Sequence, residues 1–168
     1  MGIEVREVRP DEYEEAGTVT ALAYREFASP EEDDWDEYFD RMTDVAGRAK
    51  KAAVLVAVED GRILGTLTLE LDRRIDQDHA PLEPGQAHIR MLGVHPEARR
   101  GGAGRALMWG AIERARAEGK ERLTLNTTQR MQAAKAMYES LGFDRGPDRI
   151  EDDGFVLYSY SLNLRSAL

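Results

Sequence analysis

The feature that most constrains this chain is the junction AHIRMLGVHPEARRGGAGRALM, residues 87–108. A β-rich run enters it, glycines at 101, 102 and 104 turn the chain, and the run RALMWGAIERARAEG leaves it at helical spacing until Gly119 stops it. A strand, a glycine turn and a helix in succession call for an α/β architecture. The turn also has a chemistry. Glycines let the backbone reach angles closed to other residues and clear Cβ atoms from an approaching ligand. Just beyond them the first helical amides lack carbonyl partners and the helix dipole favours negative charge. Arg99, Arg100 and Arg105 add cations. The segment predicts an anion site, with phosphate the natural candidate.

Two familiar glycine patterns do not fit. A triphosphate-binding loop needs lysine and then serine or threonine after its last glycine, where Arg105-Ala106 stand. A dinucleotide fingerprint starting at Gly102 needs glycine or alanine at Leu107. The entering strand carries its own signal. Its apolar residues fall at 89 and 91 and then at 92 and 94, a slip of one place between Met91 and Leu92 that predicts a β-bulge.

The remaining elements follow from period and punctuation. IEVREVR alternates as a strand; helices are expected from Glu12 to about Ala28 and from about Glu31 to Arg48, interrupted by Pro30. AAVLVAVE and RILGTLTLELD form a hairpin through Asp60-Gly61, and residues 74–86 form a loop. After the glycine turn come a helix to about Glu118, a strand ERLTLNT, a helix QRMQAAKAMYESL ended by Gly142, a short strand within 143–148 and a last strand GFVLYSYSL. The expected fold class is α/β (α+β): one domain over residues 1–168, a mixed, mostly antiparallel sheet of six to seven strands flanked by about four helices.

Composition narrows the function. The chain has no cysteine, and His79, His88 and His95 lack zinc-helix spacing, so no metal is expected. The formal charge is −9, and residues 1–50 carry it, with 15 acidic against 6 basic side chains. Such a chain should not bind nucleic acid. The charged N-terminus and the absence of an 18-residue apolar run predict a cytoplasmic protein with no membrane partner.

Read with its flanks, the junction resembles motif A of the GNAT superfamily of acetyl-CoA-dependent N-acyltransferases. The family pattern, Arg or Gln, two variable residues, Gly, one variable residue, then Gly or Ala, is met by Arg99, Gly102 and Gly104. AAKAMYESLGF resembles motif B through Tyr138 and Gly142-Phe143, although Met131 stands where many relatives have a cofactor-contacting asparagine. The resemblance implies acetyl-CoA as the acyl donor. Its pyrophosphate would lie on Arg99, Arg100, Gly101, Gly102, Ala103, Gly104 and Arg105, and its pantetheine along a splayed strand at 87–94 through Leu92, Gly93 and Val94. An amide near Leu92 would face the thioester oxygen, and Asn126 would stand in for the asparagine that Met131 replaces.

The implied activity is acetyl transfer to a primary amine by direct attack in a ternary complex. The alternatives are a domain that binds acyl-CoA without turnover, or transfer of another acyl group. Tyr138 matches the family's general acid. His88 stands where several members carry a glutamate base, and an imidazole suits that task near neutrality. Glu70 and Asp72 are lesser candidates on the neighbouring strand. The resemblance implies that the region after the first strand forms one wall of the acceptor site; here it carries SPEEDDWDEYFDRM, with Trp35, Tyr38 and Phe39 among seven acidic residues between Glu31 and Asp40, which predicts a small cationic amine or a positively charged peptide terminus as acceptor. A homodimer, common in the family, is compatible with the sequence.

Overall fold

In the computed structural model, which describes residues 2–25, 35–75, 80–128, 132–150 and 156–165, β1 (Glu4–Glu7) pairs antiparallel with β2 (Ala53–Glu59). Asp60 and Gly61, at φ 53° and 77°, then fold β2 back onto β3 (Arg62–Glu70). Paired positive φ is what a two-residue hairpin of matching twist requires. β4 (Gln86–Val94) lies antiparallel to β3 and parallel to β5 (Arg122–Thr128), and β8 (Val156–Asn163) closes antiparallel on β5. β6 (Asp144–Arg145) and β7 (Arg149–Ile150) both pair with β8, so the path runs β1-β2-β3-β4-β5-β8-β6 with β7 beside it. The mixed, mostly antiparallel sheet is as expected; the short strand expected within 143–148 is β6, and β7 is a further two-residue strand just beyond it.

Among the described residues five α-helices cover the sheet: α1 (Tyr13–Tyr24), α2 (Trp35–Thr43), α3 (Val45–Ala49), α4 (Ala103–Ala117) and α5 (Gln132–Ser140). The single helix expected over 31–48 is interrupted at Asp44. Its φ of −80° and ψ of 65° leave the helix, and its carboxylate accepts from Gly47 N at 3.0 Å. Aspartate at such a position offers the backbone an alternative to continuing the helix. The break re-aims the next turn and carries Arg48 into the interior.

On one face α4 buries Ala103, Leu107, Met108, Ala111, Ile112 and Ala115, a stripe of helical period. It packs on Leu55, Leu67, Leu69, Ile89, Leu123 and Leu125. On the other face Ala16, Val19 and Val45 pack on Val54, Val56 and Ile63. There the sheet also buries Thr66, Thr68, Glu70 and His88.

Candidate active site

The bulge expected between Met91 and Leu92 is present. Thr66 pairs with Gly93 and Thr68 with Arg90, so Leu67 faces two residues on β4, and Met91 takes a φ of 53°. On the other edge of β4 the parallel pairing with β5 runs from Gln86↔Arg122 to Ile89↔Leu125 and stops. Beyond it β4 continues to Val94 on β3 while β5 continues to Thr128 on β8. The two central strands therefore diverge. His95 N donates to Leu64 O at 2.7 Å, so by strand alternation the backbone groups of Val94 point away from β3, into the opening.

The last turn of α1 is fixed to the bulged segment. Tyr24 Oη donates to Leu92 O at 2.7 Å, and Arg99 Nη2 donates to Ala23 O at 3.3 Å. Gly93 permits the approach, since a Cβ there would lie 2.7 Å from Ala23 Cβ. The Leu92 carbonyl, expected to serve a ligand, is thus already an acceptor for Tyr24, and the Arg99 guanidinium ties the turn to α1.

At the end of the opening Arg100 has a φ of 69° and Gly102 one of 92°. Gly102 is the N-cap of α4 with no side chain capping it. A Cβ built on Gly102 meets nothing within 4 Å, and one on Gly104 meets Val94 Cγ2 at 3.5 Å and Met137 Sδ at 3.8 Å. The first-turn amides of α4 therefore open on space bordered by three exposed arginines, Arg99, Arg100 and Arg105, the last held to Ser140 Oγ at 2.8 Å. Backbone N–H groups of this kind form an anion cradle. On β5, Thr127 is buried and its Oγ1 has no hydrogen-bond partner among the described residues. An unpaired buried hydroxyl is costly, and alternation places it on the face of Leu125. A phosphate-bearing ligand fits the cradle at the start of α4.

On the opposite face a cavity of about 550 Å³ opens among α3, β4 and β5, lined in part by Tyr24, Arg48, His88, Arg90 and Asn126. His88 is 5 % exposed and its Nδ1 lies 2.6 Å from Thr124 Oγ1. Thr124 Oγ1 also accepts from Gln86 Nε2 at 2.8 Å and donates to Ala87 O at 3.3 Å. A hydroxyl has one proton and two acceptor sites, so all three contacts are satisfied when His88 carries its proton on Nδ1 and its lone pair on Nε2. A neutral imidazole so oriented can accept a proton.

The other candidates separate. Tyr138 is buried on α5, its ring centroid 6.2 Å from Phe143 and 5.8 Å from Tyr160. Burial pushes its phenol well above the usual range, so it is protonated at neutral pH, as a proton donor must be. It is not among the residues lining the cavity. Asn126 lines the cavity and its Oδ1 accepts from Ser159 Oγ at 3.3 Å. Glu70 is fully buried and committed, with Arg74 at 3.0 Å, Arg90 at 3.8 Å and Ile75 N at 2.7 Å. Asp72 lies beyond the end of β3 with its side chain 92 % exposed. These settings suit neither carboxylate to the role of base. Met131 lies outside the described residues.

The acidic segment expected to attract a cationic acceptor falls largely outside the described residues. The described wall of the cavity has the opposite sign: Arg41, Arg48, Lys50, Lys51 and Arg90 against Asp44. Arg48 was not visible from sequence, since only the break at Asp44 turns it inward. Thr127 likewise reads as an ordinary strand residue. Among the described residues no helix is long and apolar enough to cross a membrane, and no group of three or more His, Asp or Glu could hold a metal ion.

A mycothiol acetyltransferase from Thermobispora bispora is 29 % identical over 150 residues, 86 % of this chain and 47 % of that protein, so the chain spans about half the length of this curated relative. Among solved structures, yncA of Salmonella typhimurium with its cofactor acetyl-CoA aligns with a TM-score of 0.71 at 19 % identity, over 98 % of this chain and 95 % of that one. PaiA N-acetyltransferase from Thermoplasma acidophilum in complex with coenzyme A aligns with a TM-score of 0.70 at 16 % identity, over 95 % and 98 %. Those structures share the fold. The model of the acetyltransferase (GNAT) family matches residues 15–143, and the chain belongs to that family.

Proposed function

We propose that the chain is a single-domain N-acetyltransferase that moves an acetyl group from acetyl-CoA to a primary amine by direct attack. The observation that carries this reading is the divergence of β4 and β5, with an anion cradle at one side and a cavity containing His88 at the other. In this reading the amides of Gly102, Ala103 and Gly104 and the neighbouring arginines hold the pyrophosphate, and the backbone groups of Val94, which point away from β3, align the pantetheine. Two relatives of the same fold with coenzyme A or acetyl-CoA in their structures support this use of it. The donor supplies an acetyl group activated as a thioester.

The chain's own residues supply the rest. His88 takes a proton from the ammonium of the acceptor, backbone amides at the bulge stabilise the developing oxyanion, and Tyr138, kept protonated by burial, returns a proton to the leaving thiolate. The sequence has no cysteine to carry the acyl group as an enzyme thioester, which favours one direct step.

Calorimetry with CoA and a CoA-release assay over a panel of amines test the proposal. Gly104→Val should remain folded, because the site of its Cβ is in ordinary contact with its neighbours, yet lose CoA affinity by roughly 10²-fold or more as its branches enter the cradle. Unchanged affinity in the folded variant removes the donor assignment. Binding of CoA without release to any amine leaves a domain that holds the cofactor without turnover.

A further inference from the structure

Arg48 is 5 % exposed, lines the cavity and forms no ion pair among the described residues. Its Nε donates to Thr68 Oγ1 at 3.2 Å and its Nη1 to Arg41 O at 2.6 Å, which leaves Nη2 without an acceptor among the described residues. Among the described residues no carboxylate pairs with it. Thr68, which Arg48 touches, is the cross-strand partner of Arg90, and directly paired side chains share one face of the sheet. Arg90 thus presents a second guanidinium beside the first. Glu70 is the buried carboxylate of this face, and it is already shared between Arg74 at 3.0 Å and Arg90 at 3.8 Å. Asp44 turns its carboxylate to the Gly47 amide. Burial pulls the Arg48 guanidinium down to about 10, with Arg90 adding to the effect and Asp44 opposing it.

A buried guanidinium costs several kcal/mol unless it is paired, and its planar fork matches an oxyanion in two-point contact. Lys50 and Lys51 extend the same sign to the rim of the cavity. We infer that the acceptor amine bears a carboxylate, which docks on the Arg48 guanidinium in the cavity among α3, β4 and β5. The inference rests on the reading of that cavity as the acceptor site of an acetyltransferase. It places the carboxylate on the wall formed by α3 and the amine toward His88 and the bulge. It also reverses the sign expected from the acidic N-terminal third.

The experiment compares each amino acid in a panel with its own carboxamide, at matched concentration of free-base amine, by CoA release. The wild type should prefer the carboxylate member by tenfold or more in kcat/KM, mostly through KM, and 1 M salt should erode the preference. Arg48→Gln should bring the ratio near one by weakening the carboxylate member alone. If Arg48 only braces α3, the variant depresses both members equally and the ratio stays, which overturns the inference. So does a wild-type preference for the carboxamides or for diamines. Should Arg48→Gln fail to fold, the exposed pair Lys50→Gln and Lys51→Gln must still lower the ratio severalfold; an unmoved ratio there counts against the inference. Failure of the underlying function looks different, since no member of either series then releases CoA. In that event calorimetric binding of the N-acetyl amino acids, against their amides, decides the carboxylate site on its own.

Discussion

Under α4 the strands present Leu55, Leu67, Leu69, Ile89, Leu123 and Leu125 to a stripe of alanine, leucine, methionine and isoleucine, whereas under α1 and α3 the same strands bury Thr66, Thr68, Glu70 and His88 between valines. One face is an apolar core that α4 clamps from the glycine turn onward. The other is a polar interior held by hydrogen bonds and ion pairs, in which Arg48 makes hydrogen bonds but no ion pair among the described residues. Burying polar groups costs stability unless every one is partnered. A sheet that accepts this cost on one face while the other is apolar has a use for the polar face, and the cavity lies there.

The contrast breaks most readily on the apolar side. Leu107 is fully buried against the sheet, so Leu107→Ala should cost about 2–5 kcal/mol, lost transfer energy plus a residual cavity. On the polar side Thr66 Oγ1 and Thr20 Oγ1 are 2.5 Å apart. Thr66→Val should cost only about 1 kcal/mol, with the orphaned hydroxyl of Thr20 still able to donate to Ala16 O at 2.8 Å. Urea unfolding of both variants measures the difference. Equal costs would mean that the two faces contribute alike and the asymmetry is not energetic.

Activity should draw on both sides, since Tyr138 belongs to the apolar cluster and His88 to the polar face. Tyr138→Phe keeps the ring between Phe143 and Tyr160 and should lower kcat roughly 10²-fold, about 2.7 kcal/mol, with CoA affinity nearly intact. Unchanged kcat returns Tyr138 to the core. His88→Ala should cost about 10²-fold in kcat/KM and abolish the acidic limb of its pH profile. A limb that persists points to a base supplied by water.

Much of this was legible before the structure. Asp60-Gly61 announced its hairpin because paired positive φ admits few residues, and the slip at Met91-Leu92 announced its bulge because strand period is strict. The glycine turn was legible for the same reason. Arg48 was not: its inward turn depends on Asp44 halting a helix whose apolar period continues past it. Helical periodicity identifies a face and cannot register a break made by one side-chain hydrogen bond. The roles of Glu70 and Asp72 were equally hidden, since both read as acidic residues near a strand, and only the tertiary partners Arg74, Arg90 and Ile75 separate them.

Arg6 and Arg48 repeat the contrast at the scale of single charges. Arg6 donates from Nη1 and Nη2 to the two carboxylate oxygens of Glu12, each at 2.8 Å, and Arg9 N adds a bond to Oε1 at 2.9 Å. The Arg6 guanidinium, with that amide, holds the Glu12 carboxyl down to about 2, well below its ordinary value near 4.5. Because the folded state binds this proton less readily than the unfolded chain, the pair stabilises fully above about pH 4.5 and loses its contribution as pH falls toward about 2. Partial exposure limits the gain to about 1 kcal/mol. Glu12→Gln should therefore be about 1 kcal/mol less stable than wild type at pH 7 in urea, with the gap closing as the pH drops through 4 and 3. A gap that stays constant with pH would assign the loss to packing of the side chain against Arg6. Arg6 would then resemble Arg48 in having no carboxylate partner that matters to its stability, and the contrast between the paired and unpaired arginine would fail.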